Sequence, residues 1–99
     1  MRTKKKKLLG LTVREFYDEN GNEIGRYSIE NDGISLYGFG IESKAKNFGC
    51  RLPIDGIWIT KKDFDELGVE GVLEHLRRWL DGNAEYVLKF IMKDLGVKA

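Results

Sequence analysis

Few side chains in this sequence could carry out catalysis. His75 is the single histidine and Cys50 the single cysteine among 99 residues. Neither is spaced from a nucleophile, a general base or further ligands in a pattern that indicates a catalytic or zinc site. We interpret His75 as a boundary residue of a helix and Cys50 as a small buried hydrophobe. The sequence therefore predicts a protein that is not an enzyme, with no metal, no cofactor and no small-molecule ligand.

Basic side chains interleaved with aromatic ones are the clearer chemical signal. Proteins that hold single-stranded nucleic acid stack its bases on aromatic rings and place cations along its phosphates. In the hairpin described below, Arg14, Phe16 and Tyr27 share one face and could form such a platform. This interpretation predicts single-stranded DNA binding through a basic and aromatic sheet face. The residues predicted to take part are Lys5, Lys6, Arg14, Phe16, Arg26, Tyr27, Lys44, Lys46 and Arg51.

The alternative interpretation gives the same aromatic residues a structural role. If helices covered their face, Phe16 and Tyr27 would belong to the hydrophobic core and Arg14 would lie at its margin. The protein would then act through another surface, as a homodimer or other assembly protein with no nucleic-acid role. Which face the helices cover decides between the two functions. The apolar anchors predicted for protein interaction are Tyr37, Phe39, Phe48 and Trp58.

Composition and charge limit the classes of protein that fit this chain. Hydrophobic residues make up 41% and charged residues 33%, which is typical of one folded domain. The net charge is +1, but residues 1–62 carry a balance of +4 and residues 63–99 a balance of −3, so an anionic partner would meet the first part. The lone cysteine indicates a reducing, intracellular (cytoplasmic) setting. No apolar run is long enough to cross a bilayer, and no membrane partner is expected.

Residues 11–29 contain the element that should position the basic and aromatic side chains. Two β-rich runs flank Asn20-Gly21, a pair typical of a two-residue type I′ hairpin turn. A turn at these two residues fixes the register, because every pair follows by counting back from it. The predicted pairs are Tyr17 with Ile24, Glu15 with Arg26, Arg14 with Tyr27 and Val13 with Ser28.

The N-terminal half predicts further strands around this hairpin. Residues 1–7, with their run of four lysines, are interpreted as a flexible basic arm, and residues 8–99 as a single domain. The first strand is predicted over residues 8–17 and the second over residues 23–29. A third strand over residues 34–41 and a fourth over residues 57–59 follow.

From Thr60 onward the apolar period changes from two to about 3.6, which indicates helices. Thr60 is predicted to cap the first helix with Asp63 in its first turn, and Gly68 to interrupt it. Asn83 is predicted to cap a last helix that ends at Gly96. The fold predicted is α+β: an antiparallel β-meander of about four strands followed by two to three C-terminal helices packed on one sheet face.

Part of the sequence resembles a known family. The segment Val13-Arg14-Glu15-Phe16, the acidic turn after it, Gly33-Ile34-Ser35-Leu36 and a Trp-bearing segment before a helix are similar to the transcriptional positive cofactor four family. The resemblance implies single-stranded DNA binding and a dimer paired through the helix. The chain departs from the family pattern at residues 26–32 and 42–55 and in its number of helices. In general style it is also similar to small proteins of archaeal viruses.

Overall fold

The structure, a computed structural model, describes residues 1–43 and 57–98. An antiparallel sheet of five strands, adjacent in chain order, is followed by two helices. The predicted α+β class is therefore confirmed. The strands are β1 (Arg2–Leu8), β2 (Leu11–Tyr17), β3 (Glu23–Ile29), β4 (Gly33–Gly38) and β5 (Ile57–Thr60), and the helices are α1 (Lys61–Trp79) and α2 (Ala84–Leu95).

The lysine run forms an edge strand of the sheet. All seven residues of β1 pair with β2, from Arg2 opposite Tyr17 to Leu8 opposite Leu11. Residues 2–7, predicted as part of a flexible arm, therefore belong to a strand, and the strand predicted over residues 8–17 is confirmed for Leu11–Tyr17 only. A row of lysines lacks the apolar alternation that marks a half-buried strand, but its backbone can pair like any other. Lysines on an edge strand also discourage pairing with the sheet of another molecule.

The loop between β2 and β3 differs from the predicted type I′ turn. The Asp18 N–H donates to the Asn22 carbonyl at 2.9 Å, so three residues, not two, form the loop. Gly21 has φ +82° whereas Asn20 has no positive φ, which is the pattern of a type I turn with a G1 bulge. The Asp18 carboxylate accepts the N–H groups of Asn20 and Asn22, both at 2.9 Å, and favours this shape.

A β-bulge beyond the loop restores the predicted register. The three-residue loop places Tyr17 opposite Glu23, so the predicted pairing of Tyr17 with Ile24 is wrong. The register then shifts by one residue between Phe16 and Tyr17, and Ile24 is the extra residue. The loop and the bulge offset each other. The remaining predicted pairs, Glu15–Arg26, Arg14–Tyr27 and Val13–Ser28, are therefore confirmed.

Helix α1 begins and bends where the sequence predicts. The Asp63 N–H donates to Thr60 Oγ1 at 3.2 Å, and the Thr60 N–H donates to Asp63 Oδ2 at 2.7 Å. This reciprocal pair is a capping box. Gly68 has φ +72° and ψ 169°, which breaks the helical path and leaves two helical segments joined by a kink.

Helix α2 ends as predicted but begins differently. Gly96 is left-handed at φ +73°, and the Val97 N–H reaches the Met92 carbonyl at 2.8 Å. Asn83 precedes the helix, but it is left-handed at φ +62° and its side chain makes no capping hydrogen bond. Its role as a side-chain cap is therefore corrected to a backbone turn that asparagine tolerates.

Both helices pack on one face of the sheet. The face that they cover carries Phe16 and Tyr27, whose side chains are fully buried. Burial of such large apolar groups is the main favourable term for the fold, at about 1.5–3 kcal/mol for each side chain. The core side chains of the sheet are Phe16, Tyr27, Ile34, Leu36, Ile57 and Ile59, and those of the helices are Phe64, Val72, Leu73, Leu76, Ala84, Val87, Leu88, Ile91 and Leu95.

Candidate interaction surface

The predicted aromatic platform lies in the core. The ring of Phe16 packs at centroid distances of 5.7 Å from Tyr27, 5.3 Å from Phe39 and 5.8 Å from Phe90. Phe16 and Tyr27 therefore offer no ring face to a base, and a stacking platform built on them is wrong for this structure. Phe39 is also buried, against the backbone of Gly25, where a Cβ would lie 2.5 Å from its ring. It is not an apolar anchor on the surface.

Arg14 belongs to a buried polar cluster on this covered face. Its guanidinium holds the Asp94 carboxylate with two hydrogen bonds, Nε to Oδ2 at 2.9 Å and a second nitrogen to Oδ1 at 3.1 Å. The Tyr27 hydroxyl donates to Asp94 at 2.5 Å, and Lys5 Nζ lies 3.4 Å from the same carboxylate. We call Lys5, Arg14, Tyr27 and Asp94 the Asp94 cluster. It ties α2 to β1, β2 and β3.

The Asp94 carboxylate is charged because the hydrogen bonds that it accepts lower its pKa by more than burial raises it. Burial is the largest influence and raises the pKa of Asp94. Hydrogen bonds from Arg14 and Tyr27, with the charges of Arg14 and Lys5, outweigh it and hold that pKa below its usual value. Burial, followed by the bond to Asp94, raises the pKa of Tyr27 well above its ordinary value. Arg14 is thus occupied by a structural partner and cannot also hold a phosphate.

The opposite face of the sheet, called the open face below, is covered by neither α1 nor α2. Cross-strand pairing aligns its side chains in rows, because residues directly opposite in neighbouring strands project to the same side. One row contains Lys4, Glu15, Arg26 and Tyr37, and the next contains Lys6, Val13, Ser28, Ser35 and Trp58.

A second carboxylate cluster lies on the open face. Glu15 is only 2% exposed, because the long side chains around it close over its carboxylate. Lys6 Nζ lies 2.8 Å from Glu15, a nitrogen of Arg26 lies 3.5 Å from it, and the Tyr17 hydroxyl donates to it. Arg26 also pairs with Glu23 at 2.7 Å. We call Lys6, Glu15, Tyr17, Glu23 and Arg26 the Glu15 cluster.

The Glu15 cluster neutralises most of the positive charge at the centre of the open face. Hydrogen bonds from Lys6 and then Tyr17, aided by the charges of Lys6 and Arg26, lower the pKa of Glu15 to about 2. Hydrogen bonding to Glu15 raises the pKa of the Tyr17 hydroxyl. Two of the predicted nucleic-acid contacts, Lys6 and Arg26, are therefore engaged with acidic side chains of the protein itself.

A groove lined by two aromatic residues lies at the β4–β5 side of the open face. It encloses about 340 Å³ between Tyr37 and Trp58, with Ser35 and Glu30 completing its lining. The Trp58 side chain is 47% exposed, and its ring lies over Gly33, where a Cβ would come within 2.6 Å. Ser35 makes no side-chain hydrogen bond to the described residues. The groove thus offers two aromatic rings, a hydroxyl group and a carboxylate to a partner.

The predicted binding residues are therefore distributed over several places. Lys5 and Arg14 belong to the Asp94 cluster, whereas Tyr37 and Trp58 lie together at the groove. Asp94, Glu30 and Ser35 were not among the predicted residues, because they become visible as partners only when the cross-strand neighbours and the helix position are known. Four further predicted residues, Lys44, Lys46, Phe48 and Arg51, lie outside the residues that the structure describes.

No catalytic arrangement surrounds His75 in the described parts of the chain. Its side chain is half-buried beside Trp58, Asp63 and Leu67 in a groove of about 200 Å³. Burial, with the charge of Arg78, lowers the pKa of His75, against the raising effect of Asp63. Residues 1–43 and 57–98 contain no group of three His, Cys, Asp or Glu side chains placed to hold a metal ion.

Comparisons of the chain with protein-family models, with curated proteins and with solved structures gave no match. The resemblance to the transcriptional positive cofactor four family stays a prediction. Across residues 1–43 and 57–98, neither helix has the length and apolar character that a membrane span requires.

Proposed function

We propose that this protein is a non-enzymatic binding module that associates with a second copy of itself through the open face. The observation that carries the proposal is the grouping of Trp58, Tyr37 and Arg26 on the open face, which neither α1 nor α2 covers. Tryptophan, tyrosine and arginine are the residues that most often dominate the binding energy of protein interfaces. A half-exposed tryptophan beside an accessible groove has the form of such an anchor.

The charges of the open face support a protein partner. A nucleic acid requires cations that are free to neutralise phosphates. Lys6 and Arg26 are instead paired with Glu15 and Glu23. The centre of the face is therefore close to neutral and contains polar groups that already satisfy one another, which is compatible with burial against another protein.

The distribution of charge across the open face supports a second copy as the partner. The positive charges of Arg2 and Lys4 lie on β1, whereas the negative charges of Glu30 and Asp32 lie in the β3–β4 turn. This turn is near β5, because the Asp32 carbonyl accepts the N–H of Lys61, the residue that follows β5. These oppositely charged regions lie at diagonal corners of the sheet, and a two-fold axis in the plane of the interface that exchanges the two corners brings the two signs together. The lysines of β1 disfavour the competing edge-to-edge arrangement.

Light scattering after size exclusion over a concentration series tests this proposal. The wild-type protein is expected to change from monomer to dimer as concentration rises, and Trp58→Ala is expected to shift that transition to at least tenfold higher concentration. Lys89→Ala, an exposed truncation on α2, is the control and should dimerise like the wild type. A wild-type monomer at every accessible concentration would overturn the proposal.

Single-stranded nucleic acid is the second candidate for the same face. Its support is that Arg2 and Lys4 make no ion pair within the described part of the chain and lie on the same face as Tyr17 and Tyr37. Aromatic rings beside free cations are the combination that single strands require.

Binding of labelled oligonucleotides at two salt concentrations tests this second candidate. It predicts an affinity that falls with salt. In the double variant Arg2→Ala/Lys4→Ala the salt slope should fall by about one for each phosphate that the removed side chains had neutralised. An affinity that is absent or insensitive to salt would exclude this candidate.

A further inference from the structure

The tip of the β1–β2 hairpin exposes three leucines. Leu9 is 96% exposed, Leu8 is 42% exposed and Leu11 is 39% exposed. Leu9 and Gly10 form a two-residue turn in which both have positive φ, +51° and +82°, the signature of a type I′ turn. None of these leucines belongs to the hydrophobic core.

Leu9 is poorly suited to its place in the fold. A left-handed backbone is unfavourable for a residue with a Cβ, and asparagine or glycine is the usual choice in a type I′ turn. At the comparable left-handed position before α2 this chain uses Asn83, at φ +62°. Leu9 has a strained backbone and an exposed side chain, so it contributes no packing to the folded monomer that would explain a leucine at this position. Its place is explained if its side chain is buried in something else.

The segment of chain that forms this apolar tip and leads to it carries only basic charges. Residues 1–14 contain no aspartate or glutamate. Lys5 and Lys7 project to one side of β1 while Lys4 and Lys6 project to the other, because side chains alternate along a strand. Cations therefore flank the tip on both sides of the hairpin. Lys7, opposite Thr12 beside the tip, makes no ion pair to the residues that the structure describes.

We propose that the Leu8–Leu11 tip inserts into the surface of an anionic lipid bilayer. A strand advances about 3.3 Å per residue, so Lys7 and Lys6 lie roughly 7–10 Å behind Leu9. Interfacial segments bury their apolar side chains about 5–10 Å into the boundary between headgroups and acyl chains. Insertion of the leucines to that depth therefore places Lys7, which makes no ion pair to the described residues, at the level of the headgroups.

A lipid surface fits this tip better than a pocket on a protein. Cations on both sides of a narrow hairpin match a planar layer of negative charge, which surrounds the inserted tip. Lysine is a flexible point charge and gives no directional pattern that a protein pocket would read. The apolar part is a bare wedge of three leucines with no hydrogen-bonding side chain among them.

Co-sedimentation with lipid vesicles tests the proposal. The wild-type protein is expected to bind vesicles of phosphatidylcholine mixed with phosphatidylserine, to bind phosphatidylcholine alone at least tenfold more weakly, and to lose affinity as salt rises. Leu9→Asn is expected to weaken binding at least tenfold while the melting temperature stays the same or rises, because asparagine accepts the left-handed turn. An unchanged or higher melting temperature would show that Leu9→Asn weakens binding by removing the exposed leucine and not by unfolding the protein.

Two further variants complete the test. Leu67→Asn removes an exposed leucine from α1 and should bind the mixed vesicles like the wild type. Lys7→Ala should weaken binding to mixed vesicles severalfold and leave the weak binding to phosphatidylcholine unchanged. Trp58→Ala should bind vesicles normally, since the open-face groove is a separate site. Absence of binding to mixed vesicles at low salt, or a Leu9→Asn variant that binds as the wild type does, would overturn the proposal.

Discussion

The two faces of the sheet each contain a carboxylate held by an arginine, a lysine and a tyrosine hydroxyl. On the covered face Asp94 is held by Arg14, Lys5 and Tyr27. On the open face Glu15 is held by Arg26, Lys6 and Tyr17. The chemistry is the same in both clusters, whereas their surroundings differ.

That difference in surroundings assigns the two clusters different roles. The Asp94 cluster lies under α2, and Arg14 also lies 4.6 Å from the ring centre of Phe90. The arginine partner differs between the clusters, since the Arg26 side chain that holds Glu15 is 34% exposed whereas that of Arg14 is 8% exposed. Removal of Asp94 leaves the charge of Arg14 buried without a partner. Removal of Glu15 leaves Lys6 and Arg26 in contact with solvent and salt, which replace much of the lost interaction. We infer that the Asp94 cluster holds the fold together and that the Glu15 cluster shapes the charge of the open face.

Asp94→Asn should produce the largest effect. It leaves Arg14 buried without a counter-charge, so we expect a loss of about 3 kcal/mol in the free energy of unfolding. Urea denaturation of the wild type and the variant measures this loss. Asp65→Asn, an exposed carboxylate of α1, is the matched control and should change stability by less than about 0.5 kcal/mol. Equal effects of the two substitutions would contradict a structural role for the cluster.

Phenylalanine in place of each tyrosine compares the two clusters directly. Tyr27→Phe removes the hydroxyl that donates to Asp94 inside the core, which should cost about 1–3 kcal/mol in the free energy of unfolding. Tyr17→Phe should cost clearly less, because Tyr17 is only partly buried and Lys6 and Arg26 still neutralise Glu15. The same urea experiment measures both. A Tyr17→Phe variant less stable than Tyr27→Phe would reverse the assignment of roles.

Glu15→Gln should change how the stability of the protein depends on pH and on salt. The pKa of Glu15 is about 2 in the folded protein, below the value of 4.5 expected when unfolded. A lowered pKa adds stability above the unfolded value, and that stability is lost as pH falls from about 4.5 to about 2. The variant should therefore lose less stability than the wild type over this interval.

At neutral pH we expect Glu15→Gln to cost about 1 kcal/mol, reduced by screening from what the pKa alone implies. Denaturation midpoints at low and high salt measure this cost. It should shrink in high salt, whereas the cost of Asp94→Asn should persist. A cost of Glu15→Gln that is independent of both salt and pH would contradict an ionic role of the Glu15 carboxylate.

The two lysines should give the smallest effects. Lys5 and Lys6 are adjacent in β1 and pair with Asp94 and Glu15 respectively, with much of each side chain exposed. Replacing either with alanine should cost less than about 1 kcal/mol, because exposed ion pairs contribute little. Thermal melts of both variants at two salt concentrations check this. A large loss of stability for Lys5→Ala but not for Lys6→Ala would show that Lys5, on the edge strand, contributes to the structural role of the Asp94 cluster.

The register and the helices could be predicted from the sequence because local signals carry them. The capping box of Thr60 and Asp63, the break at Gly68 and the end at Gly96 are all encoded within a few residues. The pairing of Glu15 with Arg26 could be predicted although the turn could not, because the bulge at Ile24 removes the shift that the longer loop introduces.

The covered face could not be predicted because each face of the hairpin carries a charged residue that is buried in the fold. Arg14 and Glu15 are both buried, one on each face, so the alternation that usually marks the core is absent. Their partners include Asp94, eighty residues from Arg14 in the chain, and no local pattern connects the two. The strand formed by the lysines escapes prediction for a related reason, since its side chains are exposed on both faces.

The most direct test of a covered face and an open face is the paramagnetic broadening of ring protons by a soluble relaxation agent. The spectra are recorded at low and at high protein concentration. In dilute solution the rings of Trp58 and Tyr37 should broaden strongly while those of Phe16 and Tyr27 stay sharp. At high concentration Trp58 and Tyr37 should become protected. Broadening of Phe16 and Tyr27, or a Trp58 signal that does not change with concentration, would contradict the account.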